Sequence, residues 1–282
     1  MPSRRRFLWT ASAALSALAG CSGRTDTDDA PTDSPTPSPT PTPERLAFEE
    51  AYDPDDGDAV KATDAHVQSS VRRLANVDHN AIEAGPFWYL FVTVDAMPDG
   101  PLPRAFQLRT AAGSYDPLAV RDERLREQVA IVNGEAYRGT PETTDGWLLF
   151  EVPYDDPVED ARLALDGAAT WTLPDATVQR LRADPPAFEV RGVETPERPP
   201  ADEPFDVHLT VANDGGDGTF RGAFNYTAPL YAPQGIAREI DAGTERTFAV
   251  TVDIHTGGPG GGEVAAALVS PAGDRTWSVT LG

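Results

Sequence analysis

The stretch "FDVHLTVAN", Phe205 to Asn213, alternates apolar and polar side chains. Phe205, Val207, Leu209 and Val211 fall on one side, and Asp206, His208 and Thr210 on the other. A period of two fits an extended strand with one face on a core and one in water, and fits no helix. "TFAVTVDI" repeats the pattern, placing Phe248, Val250, Val252 and Ile254 inward. "EVAAALVSP" and "RTWSVTLG" supply two closing strands.

Upstream the same rhythm is present in a less regular form. "FWYLFVTV", Phe87 to Val94, is aromatic and β-branched, with Trp88, Leu90, Val92 and Val94 sharing a face. "GWLLFEVP" turns Leu148, Phe150 and Val152 inward and Glu151 outward, and "ARLALDG" turns Leu163 and Leu165 inward. "RDERLREQVAIVNG", residues 121–134, reads as a helical turn or an irregular connection. Short apolar segments between Gly, Pro, Asp and Asn clusters predict an all-β protein of two sandwiches. Pro185 and Pro186 place the boundary near residue 184, giving domains over 45–184 and 185–282. A weak echo supports the pairing. "VTVDAMPDGPLPRAFQL" and "LTVANDGGDGTFRGAFNY" both run strand, acidic Gly turn, strand, with Ala105-Phe106 matching Ala223-Phe224.

The first 44 residues have another character. "SRRRFLW" followed by the apolar run to Gly20 has the basic start and short hydrophobic segment of an export signal. Arg4 and Arg5 ahead of Phe7-Leu8 resemble the twin-arginine signal, which a receptor reads. The run from Phe7 to Gly20 is shorter than the ~20 residues a spanning helix needs. Leu18, Ala19, Gly20 and Cys21 resemble the lipobox of lipoproteins, and Cys21 is the only cysteine of the chain. The resemblance implies that residues 1–20 are removed and that Cys21 carries lipid, which would anchor the protein on the extracellular face of the cell membrane. The segment 21–44 alternates proline with Ser and Thr, a pattern that forbids regular ladders and favours extended polyproline II. At ~3.1 Å per residue it would form a stalk of up to ~70 Å, with hydroxyls suited to O-glycosylation.

Charge sets the surroundings. There are 45 acidic residues against 23 basic ones, a formal net charge of −22, and Lys61 is the only lysine. Such a surface repels itself in dilute buffer, while ~1 M salt shortens the Debye length to ~3 Å. Acid surplus with few lysines resembles the proteins of halophilic archaea. Beyond the signal no Lys/Arg cluster exists to neutralise phosphates, which argues against a nucleic-acid partner.

Two further resemblances concern the folded part. On "ADEPFDVHLTVANDGGDGTF" and "IDAGTERTFAVTV", the second half resembles the cell-adhesion-related bacterial domain, an immunoglobulin-like sandwich of archaeal surface proteins. That family frames its sandwich with a Val-x-Asn-x-Gly turn, here Val211, Asn213 and Gly215, and an Ala-Gly-x-x-x-x-Phe return strand, here Ala242, Gly243 and Phe248. The first half is similar to the telokin-like immunoglobulin domain of small prokaryotic lipoproteins through "YLFVTVDAMPDG" and "GWLLFEVP", with Ala96 or Met97 where that family has Asn. Neither resemblance implies a catalytic constellation.

Residue inventory narrows the chemistry. His66, His79, His208 and His255 show no metal-ligand spacing, and His208 belongs to a polar strand face. A blue-copper site needs a cysteine beside two histidines, and Cys21 is committed to lipid. "DPDDGD", Asp53 to Asp58, fails the EF-hand pattern because its sixth residue is Asp58 and its twelfth Asp64. "NDGGDGT" reads as a hairpin turn, "GGPGGGE" as a flexible loop, and Gly-x-Ser-x-Gly is absent. Asn225-Tyr226-Thr227 is an N-glycosylation sequon on an outward strand position, making Asn225 a candidate glycan site. The reading is therefore a non-enzymatic, membrane-anchored surface lipoprotein without catalytic, cofactor or metal residues. Its expected partners are the membrane and a surface protein or glycan. The rival readings are an accessory solute-binding lipoprotein of a transporter, with a pocket between domains, and an extracellular hydrolase.

Overall fold

The computed structural model describes residues 42–54, 59–76, 79–118, 135–142, 144–201, 203–227, 230–231, 234–255 and 262–282. Arg4, Arg5, Cys21 and the segment 121–134 lie outside the described residues. Pro41–Gly282 forms one compact unit, and its regular secondary structure among the described residues is strand apart from one short α-helix and one 3-10 turn.

In the first half, β2 (Val60–Asn76), β3 (His79–Ala96) and β6 (Asp145–Pro153) make a three-stranded sheet in the order β2-β3-β6. It faces a five-stranded sheet in the order β1-β8-β7-β4-β5, built from β1 (Glu44–Leu46), β4 (Phe106–Arg109), β5 (Ser114–Tyr115), β7 (Arg162–Leu165) and β8 (Ala169–Thr172). Trp88, Leu90, Val92 and Val94 point between the sheets with Leu148, Phe150, Val152, Leu163 and Leu165, as the alternation requires. Trp171 closes this core, its indole N–H donating to the Glu50 carbonyl at 2.8 Å. α1 (Asp175–Leu181) follows, seated by Thr177 and Leu181 four residues apart.

The second half pairs the sheet β14-β10-β9 with the sheet β13-β11-β16-β17. Its strands are β9 (Phe188–Glu194), β10 (Phe205–Asn213), β11 (Gly218–Tyr226), β13 (Gln234–Ile240), β14 (Thr244–Val252), β16 (Glu263–Val269) and β17 (Arg275–Thr280). β10 alternates as read, with His208 exposed. "TFAVTVDI" is broken at Asp253: β14 ends at Val252, and β15 (Ile254–His255) pairs instead with β12 (Leu230–Tyr231). The echo between halves has a structural basis. β3 to β4 and β10 to β11 each carry the chain from one sheet to the facing one.

Three features go beyond the sequence reading. First, the strand at Phe87–Val94 is the root of a much longer one, and its partner β2 has no counterpart in that reading. Between the pairs Gln68–Tyr89 and Ser70–Ala84, β3 carries Gly85, Pro86, Phe87 and Trp88 where β2 has only Ser69. A proline is tolerated in a strand at such a bulge, which bends the ladder. Secondly, the outer face of the three-stranded sheet is also apolar. Val71, Tyr89, Phe91, Trp147 and Leu149 cluster there with Ala136, and Phe91 meets Trp147 edge-to-face at 5.4 Å. Thirdly, hydrogen bonds tie the Asp184–Ala187 junction to the β10–β11 turn. Gly216 N–H donates to the Pro185 carbonyl at 3.0 Å and Asp214 N–H to the Ala187 carbonyl at 2.9 Å. A Cβ on Gly216 would lie 2.1 Å from the Asp184 carbonyl oxygen, so no other residue fits that turn unchanged.

Two tyrosines give a pH prediction. Burial pushes the Tyr137 hydroxyl up to about 12; burial and then the hydrogen bond to Asp156 push Tyr115 up to about 12. An unfolded tyrosine ionises near ~10. The unfolded chain therefore loses these protons first, and stability falls as pH rises from about 10 through 12. Denaturation midpoints should drop across that window while phenolate absorbance lags behind that of the urea-unfolded chain. Coincident phenolate titrations in the two states would refute it.

Candidate binding cleft between the two halves

The distal part of the β2–β3 hairpin reaches over the second half. It lies along β11, whose side chains at Phe220, Phe224 and Tyr226 fill the second core. The intervening side chains, Arg221, Ala223 and Asn225, face the other way. On an isolated sheet they would be solvated, but here the hairpin covers them. Ala223 and Asn225 are 0 % and 5 % exposed.

Asn225 thus lies on the face of β11 turned away from the second core, as read, but that face is covered rather than solvated. Its Oδ1 accepts from the Asn80 N–H at 2.8 Å and its Nδ2 donates to the Asn80 carbonyl at 3.0 Å. The amide thus completes both backbone bonds of a residue 145 positions away, as a neighbouring strand would. The nitrogen that a glycan would modify is buried and occupied. Beyond this pair, a Cβ on Gly235 of β13 would overlap the Arg72 guanidinium of β2, so this arginine reaches β13 through the space a side chain would fill.

At the other end of the same contact a cleft of about 250 Å3 opens between the halves. Its walls come from β2 (His66, Val67), α1 (Arg180), β11 (Gly218, Thr219, Arg221), β13 (Glu239, Ile240) and the adjoining Asp217 and Asp241. Arg180 and Arg221 are partly buried, whereas Asp217, Glu239, Asp241 and His66 are exposed. Basic groups therefore sit inside and acids at the mouth. Burial, then the Arg180 charge, lowers the Arg221 pKa to about 10. Burial, then Arg221, also lowers that of His66, so His66 resists protonation. Arg180 lies over the Trp88 ring, 4.7 Å from its centroid, a stack that leaves the edge donors of the guanidinium available. Among the described residues, neither Arg180 nor Arg221 makes a salt bridge, although the Asp217 charge acts on Arg180 and no acid does so on Arg221.

A second, shallower groove of about 360 Å3 runs beside the hairpin tip, lined by His79, Asn225, Thr227, Ala265–Ala267 and Thr276–Ser278. Trp147 and Trp171 are packed in cores and line neither space. His66 lines the cleft and His79 the groove, while His208 is exposed on its strand face. Of the "NDGGDGT" acids, Asp217 accepts from the Ala242 N–H of the β13–β14 turn at 2.7 Å, and Asp214 lies 3.9 Å from Arg191. Sequence reasoning missed the cleft because Arg180 and Arg221 lie on separate elements with no shared motif. The one signal was basic residues on elements flanking the junction in so acidic a chain.

No protein-family model matches the chain, and no curated protein matches it. Among solved structures, a β-glucosidase from Listeria innocua in complex with glucose aligns at TM-score 0.26 and 14% identity, over 35% of this chain. This chain spans only 16% of that enzyme. A titin fragment aligns at TM-score 0.17 and 12% identity, over 78% of this chain and 97% of its own. Similarities this slight carry no argument about function. The observed sheets alone define the class, an all-β protein of stacked sandwiches.

Proposed function

We propose that this chain is a non-enzymatic, lipid-anchored binding protein on the extracellular face of the membrane, held off it by the 21–44 stalk. The single observation that carries the anchor is the order of Arg4-Arg5, a short apolar run and Leu18-Ala19-Gly20-Cys21 around the only cysteine. Two acyl chains anchor stably where one does not, at ~0.8 kcal/mol per buried methylene. The binding role is supported by the cleft, which joins elements of both halves in one compact unit. That cleft also favours the solute-binding variant of the reading over a purely scaffolding one. No helix among the described residues is long and apolar enough to cross a membrane.

Mass spectrometry of protein from native membranes should find Cys21 as the first residue, with lipid on its sulfur. Cys21→Ser should leave the protein with residues 1–20 retained and no lipid. A free thiol at Cys21 in membrane-derived protein would refute the anchor.

A further inference from the structure

We propose that the cleft takes a small zwitterionic solute of amino-acid type, its carboxylate on Arg180 and Arg221 and its cationic group against Asp217, Glu239 and Asp241. This rests on the binding role above but not on the lipid anchor. The charge arrangement carries it. A partly buried guanidinium next to another is costly unless an anion compensates it. In a chain with 45 acids, compensation by a neighbouring carboxylate would be the ordinary outcome. Yet no described acid pairs with Arg221, and the three acids at the cleft stay at its exposed mouth. The depressed pKa of Arg221 agrees with a cation lacking its counter-charge.

Guanidinium groups bind carboxylates through two parallel hydrogen bonds, so a carboxylate matches the donors offered. The rim decides the rest of the ligand. Three carboxylates there repel a dianion such as sulfate and attract an ammonium group a few ångströms from the anionic end. A cleft of about 250 Å3 has room for a solute of that size. Glu239 and Asp241 serve the rim through charge alone, whereas Asp217 also holds the β13–β14 turn.

The test is calorimetric titration of the full-length protein with glycine, acetate and sulfate at one chloride concentration. Glycine should bind saturably and more tightly than acetate, and sulfate weakest. Arg221→Gln should weaken glycine at least ~10-fold, the loss of a charged hydrogen bond. Arg180→Gln should do the same and serves if Arg221→Gln does not fold. The double variant Glu239→Gln/Asp241→Asn should erase the preference for glycine over acetate. Sulfate binding more tightly than glycine would overturn the zwitterion while leaving the binding role intact. No saturable binding of any probe would overturn both. Glycine affinity unchanged in the arginine variants would place the solute elsewhere and refute the site.

Discussion

Replacing Asn213 by alanine should be among the most damaging single changes in the second half, costing about 4 kcal/mol or more. The side chain is fully buried and makes four hydrogen bonds. Its Oδ1 accepts from Ala187 N–H at 3.0 Å and Gly215 N–H at 3.2 Å. Its Nδ2 donates to the carbonyls of Gly216 at 2.8 Å and Ile240 at 2.9 Å. One amide therefore ties together the junction after α1, the β10–β11 turn and the end of β13. Truncation orphans four backbone groups at ~1–3 kcal/mol each, reduced where water reaches them. Domains of this kind have only ~5–15 kcal/mol in total. Asn213→Asp should be milder, since it still accepts both N–H bonds but sets a carboxylate against two carbonyls. Urea denaturation of both variants checks this. A midpoint for Asn213→Ala within error of wild type would show that the hub contributes little.

The second large effect is at Asn225. Asn225→Ala should cost about 2–4 kcal/mol by leaving the Asn80 N–H and carbonyl unpaired in a buried setting. The loss should be local as well as global, because this bond pair fastens the hairpin tip to β11. Amide hydrogen exchange at Asn80 should accelerate more than exchange within β10, which lies in the facing sheet. Asn225→Gln should not rescue the contact, since one extra methylene moves the amide out of register. Peptide mapping of native protein should return Asn225 unmodified. A glycan there, or an Asn80 amide indifferent to the substitution, would contradict the buried pairing.

How much of this was legible depended on whether the physics was local. Period-two alternation is a property of single strands, so β10, β16, β17 and the inner faces of β3 and β6 followed from pattern. The Val-x-Asn-x-Gly turn was visible in letters, but the four partners of Asn213 were not, since Ala187 and Ile240 approach from distant segments. β2 went unread because "AHVQSSVRR" mixes polar and apolar residues without a clean period. Its polar residues Gln68 to Ser70 are buried by packing rather than by pattern. Asn225 shows the cost of that omission. Its outward side was correctly derived from alternation along β11, but outward on one sheet turned out to be inward against another.

Sequence alone determined the strand class, the acidic surface and the composition of the first 44 residues, because these depend on residues near one another in the chain. The tertiary structure decided which outer face is covered, which asparagine is a strut, and that Arg180 and Arg221 share a cleft. Those facts arise where a bent hairpin from one sandwich lies on the sheet of the other. Burial and charge proximity there are set by distance in space, which no local period encodes.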